Sequence, residues 1–251
     1  IVTGMSQHPQ HDRVQLHACA ALSYLSWTSQ GNAASILTHG GYRAIVRAMG
    51  NHTHNHEVQE HACRALANVS GAGPGDMELA LVQVVEAMHH ERVPEVQEEA
   101  CRAIVTLALA SPENKTKMHA KSVGPAVIAA LRRFPNVQLV QQEGLNAVAC
   151  LAYEHAALNK CITELDGVQL LIKAMQGFPN SAKLQLNACG GLSALAFDNH
   201  RAQREVFEHG GVPYILRAMK EFEKVRILEL GCSLLGTMAW NTAIKERVAE
   251  S

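Results

Sequence analysis

Residues 58–70, VQEHACRALANVS, decide how this chain folds. Their apolar members Val58, Ala62, Cys63, Leu66 and Val69 stand at the first, fifth, sixth, ninth and twelfth places of the stretch. Steps of four, one, three and three draw one stripe along a helix of 3.6 residues per turn, whereas a strand would need strict alternation. The same block recurs at 14–26, 96–108, 140–152, 184–196 and 227–239, reading VQEEACRAIVTLA at 96 and LQLNACGGLSALA at 184. Successive starts, at 14, 58, 96, 140, 184 and 227, are 44, 38, 44, 44 and 43 residues apart. A period of that size marks stacked supersecondary units, none of which can bury its apolar face alone. Two of the five stripe positions are small in most copies, so the stripe is a face on which helix backbones approach closely.

Working outward, a shorter apolar helix precedes the blocks. Four copies share a pattern: Ile45-Val46-Arg47-Ala48-Met49, Val84-Val85-Glu86-Ala87-Met88, Leu171-Ile172-Lys173-Ala174-Met175 and Ile215-Leu216-Arg217-Ala218-Met219. A fifth, from Ile128 to Leu131, has Leu in the Met position. Turn and cap residues such as Phe178-Pro179-Asn180-Ser181 connect this helix to the block. A glycine corner comes before it, at Gly40-Gly41, Gly124-Pro125, Gly167 and Gly210-Gly211. Short polar helices at 114–121, 159–165 and 199–209 precede the corners. Each unit thus reads as short helix, corner, medium helix, turn, long helix. Between Ser70 and Met88 the short helix is mostly replaced by GAGPGD at 71–76, which accounts for the 38-residue spacing. A changed superhelical twist is expected there.

This order resembles the armadillo repeat family. Asn159-Lys160, Asp166-Gly167-Val168, Gly210-Gly211-Val212 and the six blocks carry the resemblance, which covers essentially the whole chain. HEAT and other helical repeats lack the corner between first and second helices. The resemblance implies an all-α fold, a right-handed α-solenoid of three-helix repeats over residues 1–251, with about six repeats. Ile1-Val2-Thr3-Gly4-Met5 aligns with the middle of a unit, and 241–251 reads as a first helix without its corner. A piece of a longer solenoid is therefore expected.

Composition narrows the function classes. With 22 basic and 23 acidic residues there is no positive stripe, so nucleic acid is not an expected partner. No apolar run is long enough to span a bilayer. Five of the seven cysteines, Cys19, Cys63, Cys101, Cys189 and Cys232, occupy the sixth block position. They read as reduced, buried small hydrophobes too far apart to pair, which points to the cytoplasm or the nucleus. No nucleophile elbow, Walker motif or metalloprotease helix appears, and the glycines at 71–75 lack the Lys-Ser/Thr of a phosphate cradle. No enzyme activity, cofactor or metal is expected. His8, His11, His52, His54, His56, His89 and His90 all fall in turns before long helices and read as solvated turn residues.

In armadillo proteins the long helix lines a concave groove that holds extended peptides. Carried over, the fourth, seventh, eleventh and fourteenth block positions should face the groove. The partner-contacting candidates are His17, Tyr24, His61, Arg64, Asn68, Glu99, Arg102, Glu143, Asn146, Tyr153 and Asn187. Importin-α-like members carry Trp at the seventh position and Asn at the eleventh. Here the seventh holds Ala20, Arg64, Arg102, Asn146, Gly190 and Ser233, and Asn68 is the one matching Asn. The fourteenth position is largely aromatic: Trp27, Gly71, Leu109, Tyr153, Phe197 and Trp240. Packing beneath the next unit's first helix is its expected role.

Two functions compete. One is a non-catalytic scaffold binding a protein or peptide segment in the groove, with an acidic or phosphorylated residue near Arg64 and Arg102. In that case both arginines stand free, whereas pairing with Glu99 and neighbouring acids would make them solubilising charges. The other function is a structural or regulatory segment of a larger protein, its groove empty or filled by its own chain.

Overall fold

The computed structural model describes residues 1–27, 29–70, 77–222, 224–242 and 244, and among them every regular element is a helix. The chain forms two compact units, Ile1–Ala126 and Val127–Ser251. The first contains α1 (Val2–Gln7), α2 (Asp12–Trp27), α3 (Gln30–Thr38), α4 (Gly41–Asn51), α5 (His56–Ser70), α6 (Met77–Ala87), α7 (Pro94–Ala110) and α8 (Pro112–Ala120). Helix α9 (Val123–Arg133) spans the division in sequence. The second contains α10 (Gln138–Ala152), α11 (Ala156–Glu164), α12 (Gly167–Gly177), α13 (Ala182–Ala196), α14 (His200–Glu208), α15 (Gly211–Phe222) and α16 (Val225–Ala239).

The six repeated blocks lie within α2, α5, α7, α10, α13 and α16. In the first unit α5 packs against both α2 and α7; in the second α13 packs against both α10 and α16. The stripe forms the core: Val58, Ala62, Cys63, Leu66 and Val69 are all fully buried, as are Leu184, Ala188, Cys189, Leu192 and Leu195. Each large member contributes about 1.5–3 kcal/mol by leaving water. The 71–76 connection, and with it the twist expected there, lies outside the described residues, as does Gly71 of the fourteenth row.

A medium helix that ends under a long one leaves its last carbonyls without intrahelical donors. The second block residue supplies them. The Gln59 Nε2 donates to Met49 O and His52 O, both at 2.9 Å. Gln15 serves Met5 O and His8 O at 2.9 and 2.8 Å, and Gln97 serves Met88 O and His90 O at 3.0 and 3.2 Å. In the second unit Gln141 serves Leu131 O and Phe134 O at 2.8 and 3.1 Å, and Gln185 serves Met175 O and Phe178 O at 2.9 and 3.0 Å. All five glutamines are buried. Each therefore fastens the end of a medium helix to the start of the long helix that follows. The sixth block has Leu228 instead, partly exposed.

The corners follow from sterics. Gly40 has φ 75° and the equivalent Asp166 has φ 59°, in the left-handed region. The next residue must lack a side chain where it meets the preceding short helix: a Cβ on Gly41 would stand 2.8 Å from Ile36 O, and one on Gly167 2.7 Å from Ile162 O. The corner before α9 differs from the sequence expectation. Ser122, not Gly124, takes the left-handed turn with φ 58°, because α9 already begins at Val123. Short helices start on side-chain caps, such as Ser29 Oγ accepting from Asn32 N and Asn199 Oδ1 accepting from Ala202 N.

Two expectations are corrected here. The turn histidines are not all solvated. His52 is 6% exposed; its Nδ1 stands 2.7 Å from Asp12 Oδ1 and its Nε2 2.9 Å from Pro9 O. The hydrogen bonds from Asn55 and His52 hold the Asp12 carboxyl below its ordinary range. His90 Nε2 likewise meets Thr53 O at 2.7 Å, so these turns are stitched to one another across successive repeats. The second correction is Cys232, which is exposed. α16 buries Ile227, Gly231, Leu234 and Met238, and the flank holding Cys232 is left open. Cys19, Cys63, Cys101 and Cys189 are buried as expected. Burial pushes the Cys19 and Cys189 thiols up to about 12 and raises Cys63 as well. Native-state alkylation at neutral pH should therefore label Cys232 first and leave those four protected. Peptide mapping that finds Cys63 modified as fast as Cys232 contradicts this packing.

Candidate partner-binding faces

In the first unit seven candidates lie on α2, α5 and α7. Tyr24 and His17 are exposed, while His61, Arg64, Asn68 and Arg102 are half-buried. Glu99 is 2% exposed and forms the hub. Its Oε1 accepts from Arg64 Nε at 2.8 Å, and its Oε2 lies 3.3 Å from Arg102 Nη1. Arg64 Nη2 also donates to Glu60 at 2.8 Å, and its Nη1 is 3.4 Å from His61 Nδ1. Arg102 Nη2 reaches Glu98 at 3.3 Å. Burial weighs against charge on Arg64, but the hydrogen bond and charge of Glu99, followed by Glu60, outweigh it and hold the guanidinium more firmly protonated than usual. The arginines are thus paired with Glu99 and neighbouring acids rather than standing free. Glu99 itself is not ligand-facing, because two guanidinium groups cover it.

Aromatic groups ring this hub. The Arg102 guanidinium sits 5.3 Å from the centre of the Trp27 ring, within cation–π range. The Tyr24 and His61 rings stand 6.5 Å apart and tilted. Asn68 spends a donor on Ser23 O at 2.9 Å, bridging α5 to α2. Sequence reading missed Glu60 and Glu98 as members. Their signal was present, since each precedes its arginine by four residues on a helix.

In the second unit the remaining candidates are Glu143, Asn146, Tyr153 and Asn187. Glu143 is 5% exposed, so it too is a buried bridge rather than a groove-facing acid. It accepts from Lys183 Nζ at 3.0 Å and from Gln142 Nε2 at 2.9 Å. Asn187 donates to Gln142 O at 2.8 Å, binding α13 to α10. Asn146 is half-buried, with the Cys150 thiol 4.0 Å from its Oδ1. Tyr153 is exposed, and a hydrogen bond from its hydroxyl to Glu154 raises its pKa above the ordinary phenol range.

The fourteenth-position row contradicts the expectation that it tucks beneath the next first helix. Trp27 and Leu109 are 59% and 69% exposed; Tyr153, Phe197 and Trp240 are 58%, 66% and 83% exposed. Each sits at or beyond the end of its long helix, where the chain turns away and leaves the side chain uncovered. Among the described residues no group of three His, Cys, Asp or Glu side chains is placed to hold a metal ion.

Residues 1–144, more than half of the chain, match the family model described as LRRK2 ARM repeat. The chain belongs to this armadillo family. Solved structures agree on the fold. The armadillo chain is 16% identical to a designed armadillo repeat protein, with 90% of this chain and 94% of that one covered and a TM-score of 0.70. It is 18% identical to a designed armadillo repeat protein in complex with the peptide (KR)4, with 88% and 91% covered and a TM-score of 0.66. A structure concerned with a phosphorylation switch in the interaction between cadherin and β-catenin gives 16% identity, 99% and 58% covered, and a TM-score of 0.54. Comparison with curated protein sequences gives no match.

Proposed function

We propose that this armadillo chain is a non-catalytic scaffold that binds a protein or peptide segment on the concave groove formed by its long helices. The exposed Tyr24 and Trp27 rings flanking a rigid, internally paired charge network carry the reading. Two armadillo neighbours, one in complex with a peptide and one concerned with a cadherin–catenin interaction, support it. Rings already held by neighbours lose little entropy on binding, and a preset network does not need to reorganise. Among the described residues no helix is long and apolar enough to cross a membrane. The buried thiols suit a reducing compartment, the cytosol or nucleus.

Network charge bears on the ligand. Arg64 and Arg102 face Glu60, Glu98 and Glu99, an excess of one negative charge. An acidic or phosphorylated ligand residue must displace one of these carboxylates to reach a guanidinium. The reading we favour has the ligand pack on the rings and on the outer edges of the arginines, with phosphorylation not required. Selection of a displayed peptide library against the purified protein tests the scaffold role. Selected peptides should lose binding about tenfold or more in Trp27→Ala with Tyr24→Ala, the scale of an interface hot spot. Binding that persists in that folded double variant, or a library that yields no binder, favours the alternative of a structural or regulatory segment of a larger protein.

A further inference from the structure

We infer that the second unit carries a separate binding site: a cleft that receives one basic side chain, arginine or lysine, from a partner segment. This site does not depend on the groove reading above. The cleft encloses about 490 Å³ between the turn after α10, helix α11 and the turn after α13.

Its floor is polar and already satisfied. Asn199 Nδ2 donates to Asn159 Oδ1 at 2.6 Å and to Thr163 Oγ1 at 3.2 Å. Asn159 Nδ2 in turn donates to Ala194 O and Leu195 O at 2.9 and 3.2 Å. The floor therefore asks nothing of a ligand, and recognition falls to the walls. One wall is the exposed Phe197 ring, with Asp198 beside it; Glu154 and Glu164 stand on the others.

Charge bookkeeping selects the occupant. The cleft holds two cations, and each is answered on its own helix: Lys160 lies 3.9 Å from Glu164, and Arg201 Nε is 2.7 Å from Glu205. Glu154 and Asp198 have no ion pair among the described residues. An anionic ligand meets three lining carboxylates against two cations, a net negative lining. A neutral apolar ligand would strip water from Glu154 and Asp198 and return nothing, which is costly. A guanidinium or ammonium group instead gains both the face of Phe197 and the adjacent carboxylate, the two partners such cations favour. The signal lay in the sequence as aromatic–acid pairs at matching places, Tyr153-Glu154 and Phe197-Asp198.

The probe is acetyl-Gly-Arg-Gly-Arg-Gly amide, titrated into the full chain at low salt and followed by backbone amide NMR. Its counterpart carries citrulline, which keeps the shape and removes the charge. Saturable shifts are expected at 154–160 and 197–201 with the arginine peptide and not with citrulline. Asp198→Asn and Phe197→Ala should each weaken binding about fivefold or more. Asn tolerates the φ of 48° at position 198, so that variant keeps the turn. Glu154→Gln gives an independent second reading of the same charge effect. Glu229→Gln, an acid outside the cleft that pairs with Arg226, should leave binding unchanged. Equal response to citrulline, shifts centred elsewhere, or unchanged titration in the folded Asp198→Asn and Glu154→Gln variants each overturns the site. Trp27→Ala with Tyr24→Ala should not affect it.

Discussion

Gln59→Leu should destabilise the first unit by about 1–3 kcal/mol, although the substitution replaces one side chain on a helix with another of similar size. The Gln59 amide is buried and satisfies both Met49 O and His52 O. Leucine keeps the volume and leaves Met49 O facing an apolar group, at a desolvation cost of about 1–3 kcal/mol, whereas His52 O keeps the backbone N–H of Asn55 at 3.0 Å. Helix propensity does not offset this, since Gln and Leu differ little. Gln59→Glu should be worse, because a carboxylate cannot donate to a carbonyl and would be buried as a charge. Urea unfolding followed by circular dichroism measures both. A Gln59→Leu midpoint that corresponds to less than about 0.5 kcal/mol, the range of neutral surface substitutions, shows Met49 O to be otherwise satisfied.

The contrast between Gln59 and Cys63 shows what the sequence disclosed. Cys63 and its stripe partners are recognisable because burial of an apolar residue leaves a period in the letters. The six blocks, their helices and their packing faces follow from that period alone. Gln59 carried an equally regular signal, a glutamine at the second place of five blocks, yet an amide on a helix reads as solvent-facing. Its burial depends on where the preceding helix ends in space, which the local sequence does not encode. His52 was misread for the same reason: its partners, Asp12 and Pro9, come from the preceding repeat. The aromatic fourteenth row was visible as a row, but its exposure turns on the direction the chain takes after each long helix. Register placed the candidate residues on the long helices or at their ends. It did not show that Glu99 and Glu143 sit beneath the surface as bridges rather than on it.

Glu99→Ala should cost about 2–4 kcal/mol, more than removal of either arginine it holds. Removing one partner of a buried ion pair costs about 3–5 kcal/mol when the remaining charge is stranded. Here the stranded groups retain alternatives: Arg64 keeps Glu60, Arg102 keeps Glu98, and both arginines are partly exposed, which lowers the figure. Removing Arg64 instead leaves Glu99 with Arg102 at 3.3 Å, so the buried carboxylate is never unpaired and the loss should be smaller. Glu99→Gln preserves an acceptor for Arg64 Nε and removes the charge; its cost should fall between wild type and alanine. The triple arrangement also predicts strong non-additivity. In a cycle of Arg64→Ala, Arg102→Ala and Glu99→Ala, the loss from Glu99→Ala should shrink once both arginines are gone, because no stranded guanidinium remains. Denaturant midpoints for the full cycle measure these terms. If Glu99→Ala costs the same with and without the two arginines, its carboxylate acts through packing alone. The paired network would then not be what holds α5 and α7 in register beneath the Tyr24 and Trp27 rings.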